Sequence, residues 1–85
     1  MKQRNVTINW RAGLHSRPAA DIVKTANKFK SKISLKNGEM EVDAKSIFGI
    51  MMLGATYKTT IIIFADGDDE NEALVSIAEL FEKEL

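Results

Sequence analysis

Asn37-Gly38 lies between two stretches whose apolar residues alternate, Ile33 and Leu35 before it and Met40 and Val42 after it. Asn-Gly is the strongest short hairpin signal, because both central residues of a type I′ turn need positive φ. A two-residue loop at that pair predicts one register. Leu35 faces Met40 and Ile33 faces Val42 on one surface, while Lys36 falls opposite Glu39 and Lys32 opposite Asp43. Opposite charges paired across strands contribute about 0.2–1 kcal/mol each, so apolar pattern and charge select the same register. The chain must therefore contain an antiparallel sheet.

The hydrophobic period places the other elements around this hairpin. Val6, Ile8 and Trp10 alternate with Asn5, Thr7 and Asn9, as in a half-buried strand. From Ser16 the spacing becomes helical, with Ala19, Ile22, Val23, Ala26 and Phe29 on one side and Asp21, Lys24 and Lys28 on the other. Ser46 opens a short apolar segment. Thr60 to Ala65 (TIIIFA) is β-branched and nearly continuous, as a central strand would be. Asp66-Gly67-Asp68-Asp69 is a turn ahead of a last helix whose buried stripe is Leu74, Ile77, Ala78, Phe81 and Leu85. Asp69, Glu70 and Glu72 suit that helix's positive end. The order β-α-β-β-α-β-α predicts an α+β fold with helices packed on one face of an antiparallel sheet.

Composition narrows the function. With 85 residues, the chain is read as one domain spanning residues 1–85, with room for one modest core and no deep substrate cavity. There is no cysteine and a single histidine, which leaves few ways to assemble a metal site or a triad. Neither a metal nor a cofactor is expected. Twelve basic residues balance twelve acidic ones, which argues against nucleic acid as a partner. The sequence MKQRNVTINW has no signal-peptide core, and no apolar run reaches membrane-spanning length, so a cytoplasmic chain without membrane insertion is expected.

The lone histidine stands three residues ahead of the lone proline, in GLHSRPAAD. Proline suits a helix's first turn and Gly13 permits a sharp approach, so His15 or Ser16 is the N-cap. An imidazole there lies beside unpaired backbone N–H groups. A neutral ring nitrogen can attack a phosphoryl group, and the resulting dianion would rest on those donors with Arg17 nearby. Nucleophile, cradle and cation would then come from three consecutive residues. Spacing alone leaves the other reading open: an idle surface histidine, a solvated Arg17, and Ser16 serving only as a cap.

The segment SIFGIMML is apolar around its circumference apart from Gly49. A two-turn helix in so small a chain buries one side only, so some of Ile47, Phe48, Met51 and Met52 should be exposed as a protein-docking surface. The alternative is a helix wedged into a groove and fully covered. Ser46 suits an N-cap, and also a phosphorylation site, since phosphate is favoured at a helix N-terminus.

GLHSRPAADIV followed by AKSIFGIMMLGA, with thirty residues between His15 and Ser46, resembles the HPr family, the histidine-containing phosphocarriers of the bacterial phosphotransferase system. The likeness runs along essentially the whole chain. It implies an open-faced β-sandwich, a four-stranded antiparallel sheet with three helices on one face. It implies a phosphoryl relay rather than an autonomous enzyme. His15 would accept phosphate on Nδ1 from phospho-Enzyme I and pass it to sugar-specific IIA domains, with Arg17 stabilising the phosphohistidine. Ser46 would match the regulatory site of HPr kinase/phosphorylase, whose product serves a catabolite control repressor. Ile47, Phe48, Met51 and Met52, with Ala20, would form the shared docking surface of a monomer. Two variants of this expectation are a carrier of the nitrogen-related phosphotransferase branch and a Ser46-regulated catabolite-repression module. One branch of paralogues lacks the active histidine, and His15 argues against it. Ser16, Trp10 and the segment Thr56-Tyr57-Lys58-Thr59 depart from the commoner family residues, the last by lacking the usual glycine.

Overall fold

The computed structural model describes residues 1–83. Its elements follow the expected order: β1 (Lys2–Thr7), α1 (Ser16–Ala26), β2 (Lys32–Asn37), β3 (Met40–Asp43), α2 (Ile47–Met52), β4 (Thr60–Asp66) and α3 (Glu70–Glu82). The four strands form one antiparallel sheet in the order β1-β4-β2-β3. The β-branched strand β4 is interior, as its composition requires.

The strand period of two decides what each face carries. Ile33 and Leu35 of β2 and Ile61, Ile63 and Ala65 of β4 point inward and are buried. They meet Ala19, Ile22 and Ala26 of α1, Ile50 of α2, and Ala73, Ile77, Ala78 and Phe81 of α3 in one cluster. Each fully buried Ile, Leu or Phe contributes roughly 1.5–3 kcal/mol of transfer free energy, so this cluster dominates stability. The other face, with Gln3, Asn5, Lys32, Lys36 and half-buried Ile62 and Phe64, is open. The architecture is the open-faced sandwich.

The hairpin forms in a different register from the one predicted. Leu35 pairs with Val42 and Asn37 with Met40, while Lys36 faces Glu41 and Ser34 faces Asp43. The loop is therefore Gly38-Glu39, and only Gly38 has positive φ (+61°), as a type II′ turn requires at its first central position. Asn37 instead ends the strand, where its Nδ2 donates to Leu53 O at 3.2 Å beside the end of α2. The offset is two residues, so parity is kept and every side chain stays on its predicted face. Charge complementarity also persists with new partners, Lys36 with Glu41 and Lys32 with Asp66.

Other boundaries shift for packing reasons. Ile8 and Trp10 are buried but lie beyond β1; Ile8 still bonds Thr59 O (2.9 Å) and the Lys58 N–H (2.7 Å). Trp10 stacks on Phe81 with ring centroids 5.4 Å apart and donates from Nε1 to Lys83 O at 2.7 Å. Phe29 packs on the core from the loop after α1, which ends at Ala26. In α3 the stripe includes Ala73, Leu74 is only half-buried, and Leu85 lies outside the described residues. Asp69 is the N-cap of α3, its carbonyl accepting the Ala73 N–H at 3.0 Å, but its side chain makes no hydrogen bond to that helix end. Its carboxylate accepts the N–H groups of Lys30 and Ser31, both at 2.9 Å, and the Ser31 hydroxyl.

Candidate functional site

The path into α1 is held by backbone contacts. Gly13 N–H donates to Trp10 O at 2.8 Å, and Leu14 N–H to Ala55 O at 2.9 Å. Gly13 has φ +72°, and a Cβ there would lie 2.7 Å from Ala55 O, so only glycine fits. With Leu14 buried below, the chain emerges at His15 in extended conformation (φ −87°, ψ −174°). His15 is the N-cap: its carbonyl accepts the Ala19 N–H at 3.1 Å. Of the two expected cap positions, His15 takes the role, and Ser16 is the first helical residue and is exposed.

The His15 imidazole is half-buried and makes no capping hydrogen bond. Among the described residues the Ser16 and Arg17 N–H groups have no acceptor, and Pro18 carries no N–H. The first turn of α1 holds no acidic residue. Arg17 is exposed and joins no ion pair among the described residues. Consecutive residues at one helix end thus carry a ring nitrogen, two free amide donors and an unneutralised guanidinium, a set electrostatically suited to a phosphoryl group.

The second motif begins after the hairpin. Ser46 caps α2 with its Oγ accepting the Gly49 N–H at 3.3 Å. Beside it, Lys45 Nζ donates to Phe29 O at 2.8 Å. Helix α2 packs on α1 and buries only Ile50 in the core. Its other apolar side chains face out: Phe48 is 80% and Met52 70% exposed, with Ile47 and Met51 also exposed. The fully covered alternative is excluded. Ala20 on α1 is exposed as well. Among the described residues no three His, Asp or Glu side chains converge on a metal-sized site, and no helix is long and apolar enough to cross a membrane.

Thr56-Tyr57-Lys58-Thr59 lacks the usual glycine, and nothing local in the sequence places this segment near the His15 turn. The missing glycine is the one signal, since a turn of this kind needs positive φ and Lys58 adopts it at +68°. The place of Ala55 and Thr56 against Gly13 and Leu14 comes from pairing between residues distant in sequence.

Comparison with known proteins gives a consistent picture. A family model described as PTS HPr component phosphorylation site matches residues 2–83. The phosphocarrier protein HPr of Xylella fastidiosa is 42% identical over 96% of this chain and 92% of its own. The crystal structure of HPr-C-His from Thermoanaerobacter tengcongensis superposes with a TM-score of 0.86 at 45% identity, covering all of both chains. The HPr-like protein Crh of Bacillus subtilis is 39% identical over the full length of both. A Crh crystal structure described as a swapped dimer, a catabolite-repression protein, matches with a TM-score of 0.80 over 100% of this chain and 98% of that one.

Proposed function

This chain belongs to the HPr family of phosphocarrier proteins, and from that premise we propose that it is a cytoplasmic phosphoryl relay, one HPr-like domain working through His15. The imidazole Nδ1 attacks phosphorus on phospho-Enzyme I. The new N–P bond forms as the bond to the donor atom breaks, and that atom keeps its electron pair. The phosphoryl group then leaves His15 for a sugar-specific IIA domain by the same displacement. What carries the reading is the unengaged ring at a helix cap whose Ser16 and Arg17 N–H groups are free, with Arg17 unpaired beside it. Such a cap supplies positioning and charge stabilisation, while the partner enzymes complete the reaction centre. A half-exposed ring also suits two-way exchange better than an enclosed pocket.

Incubation with Enzyme I and phosphoenolpyruvate should add one acid-labile phosphate, seen by mass and by its loss in acid. Absence of label, or label that survives His15→Ala, overturns the assignment. Arg17→Ala should slow transfer by roughly ten-fold or more through loss of a charge-assisted contact to the phosphate, with little change in stability because Arg17 is exposed.

Full-length similarity to Crh, the catabolite-repression relative, favours a second role through Ser46. Phosphate on Ser46 would meet the free amides of α2 and add charge beside Phe48 and Met52. HPr kinase/phosphorylase is the matching modifying enzyme and a catabolite control repressor the matching partner. In a pure regulatory module, Ser46→Asp would drive repressor binding and His15→Ala would be silent. In a carrier of the nitrogen-related branch, competition between the two Enzyme I types would reveal the preferred donor. Ile47, Phe48, Met51, Met52 and Ala20 form the docking surface in all three versions.

A further inference from the structure

The loop Thr56–Thr59 is built onto the turn that presents His15. Ala55 O accepts the Leu14 N–H, and Thr56 Cα lies so close to Gly13 that a Cβ there would approach it to 3.2 Å. Lys58 N–H donates to Ile8 O and Ile8 N–H to Thr59 O, which ties the loop to the chain leading into His15. On this frame Lys58 is the only non-glycine among the described residues with positive φ. A side chain with a Cβ is strained there, and glycine would not be.

The strained residue carries a charge that nothing neutralises. Lys58 Nζ lies 5.5 Å over the centroid of the Tyr57 ring, and Arg11 Cζ lies 5.9 Å over the same ring. All three side chains are exposed, and among the described residues neither cation joins an ion pair. The ring attracts each cation, but two like charges gathered on one aromatic still repel each other. Strain and repulsion held together on a loop packed against the turn before His15 suit a surface completed by an anion from outside.

We propose that Arg11, Tyr57 and Lys58 form a cationic platform that selects partner proteins presenting carboxylates around their phosphoryl-bearing residue. This rests on the relay reading of His15. Arg11 can take a carboxylate in its planar fork, Lys58 supplies a point charge, and Tyr57 offers flat contact area with a polar tip. Two cations on a chain of zero net charge are too narrow a footprint for nucleic acid.

The test measures initial phosphotransfer rates for the full chain, with Enzyme I and an IIA domain varied separately, at low and moderate salt. Lys58→Gly together with Arg11→Gln should raise KM for the selected partner roughly five-fold with kcat unchanged, and flatten its salt dependence. Lys58→Arg should keep the original KM. Lys58→Gly relieves the backbone, so its thermal midpoint should not fall, which separates lost recognition from lost folding. A double variant with unchanged KM for both partners overturns the platform, as does a Lys58→Arg variant impaired as much as Lys58→Gly. If the original chain accepts no phosphate at all, the relay reading falls and takes the platform with it.

Discussion

Trp10 shows how one side chain can join the termini of a small domain. Its ring stacks on Phe81, and its indole N–H closes on Lys83 O, so the approach to His15 is fastened to the last turn of α3. The alternating pattern around it signalled a buried residue, but not a hydrogen bond spanning most of the chain. Trp10→Phe keeps an aromatic at the stack and loses the hydrogen bond, and should cost about 1 kcal/mol. Trp10→Ala also opens a cavity and should cost about 3–5 kcal/mol. Urea midpoints at constant slope would measure both, and equal losses for the two variants would contradict this division of roles.

At the scale of elements, α2 illustrates how far periodicity reaches. A helix apolar all round has no preferred inward face in the sequence, and contact with α1 and the core selected Ile50. Ile50→Ala should cost about 2–5 kcal/mol, while exposed Phe48→Ala should stay within about 0.5 kcal/mol yet weaken partner docking. Chemical denaturation beside a partner-binding assay separates the two effects. The N-terminus of α3 depends on pH. Asp69 accepts from the Ser31 hydroxyl and from the Lys30 and Ser31 amides, and these bonds hold its carboxyl down at about 2 against an ordinary 3.8. The folded state therefore favours the ionised form. The clamp's stabilisation is complete above pH 3.8 and is lost as pH falls toward about 2. Unfolding curves across that range should converge with those of Asp69→Asn at the acid end and diverge above it. Glu70 is also held below its ordinary range, first by the Gly67 N–H and further by the N-terminal ammonium, and reinforces the same trend.

For the whole molecule, the sheet order brings β1 from the start of the chain against β4 near its end, leaving β1 and β3 as edges. Lys2 and Arg4 on β1 and the short acidic β3 discourage edge-to-edge pairing. The chain is therefore expected to sediment as a monomer at a mass independent of concentration. A stable dimer would instead align it with the swapped form of Crh. The same antiparallel frame leaves one sheet face open and commits all three helices to the other, which puts His15 and the apolar side of α2 on the helical layer.

Local chemistry determined the element order, the hairpin, the cap before Pro18 and the presence of more apolar surface in residues 47–52 than so small a core can cover. These follow from hydrophobic period, glycine and proline dihedral limits and helix-end hydrogen bonding, which act within a few residues. The Gly38-Glu39 turn, the choice of His15 over Ser16 as cap, the Asp69 clamp on Ser31 and the meeting of Ala55 and Thr56 with the His15 turn were decided by tertiary structure. Each depends on a partner distant in sequence or on packing around a turn, and no local pattern encodes where that partner will stand.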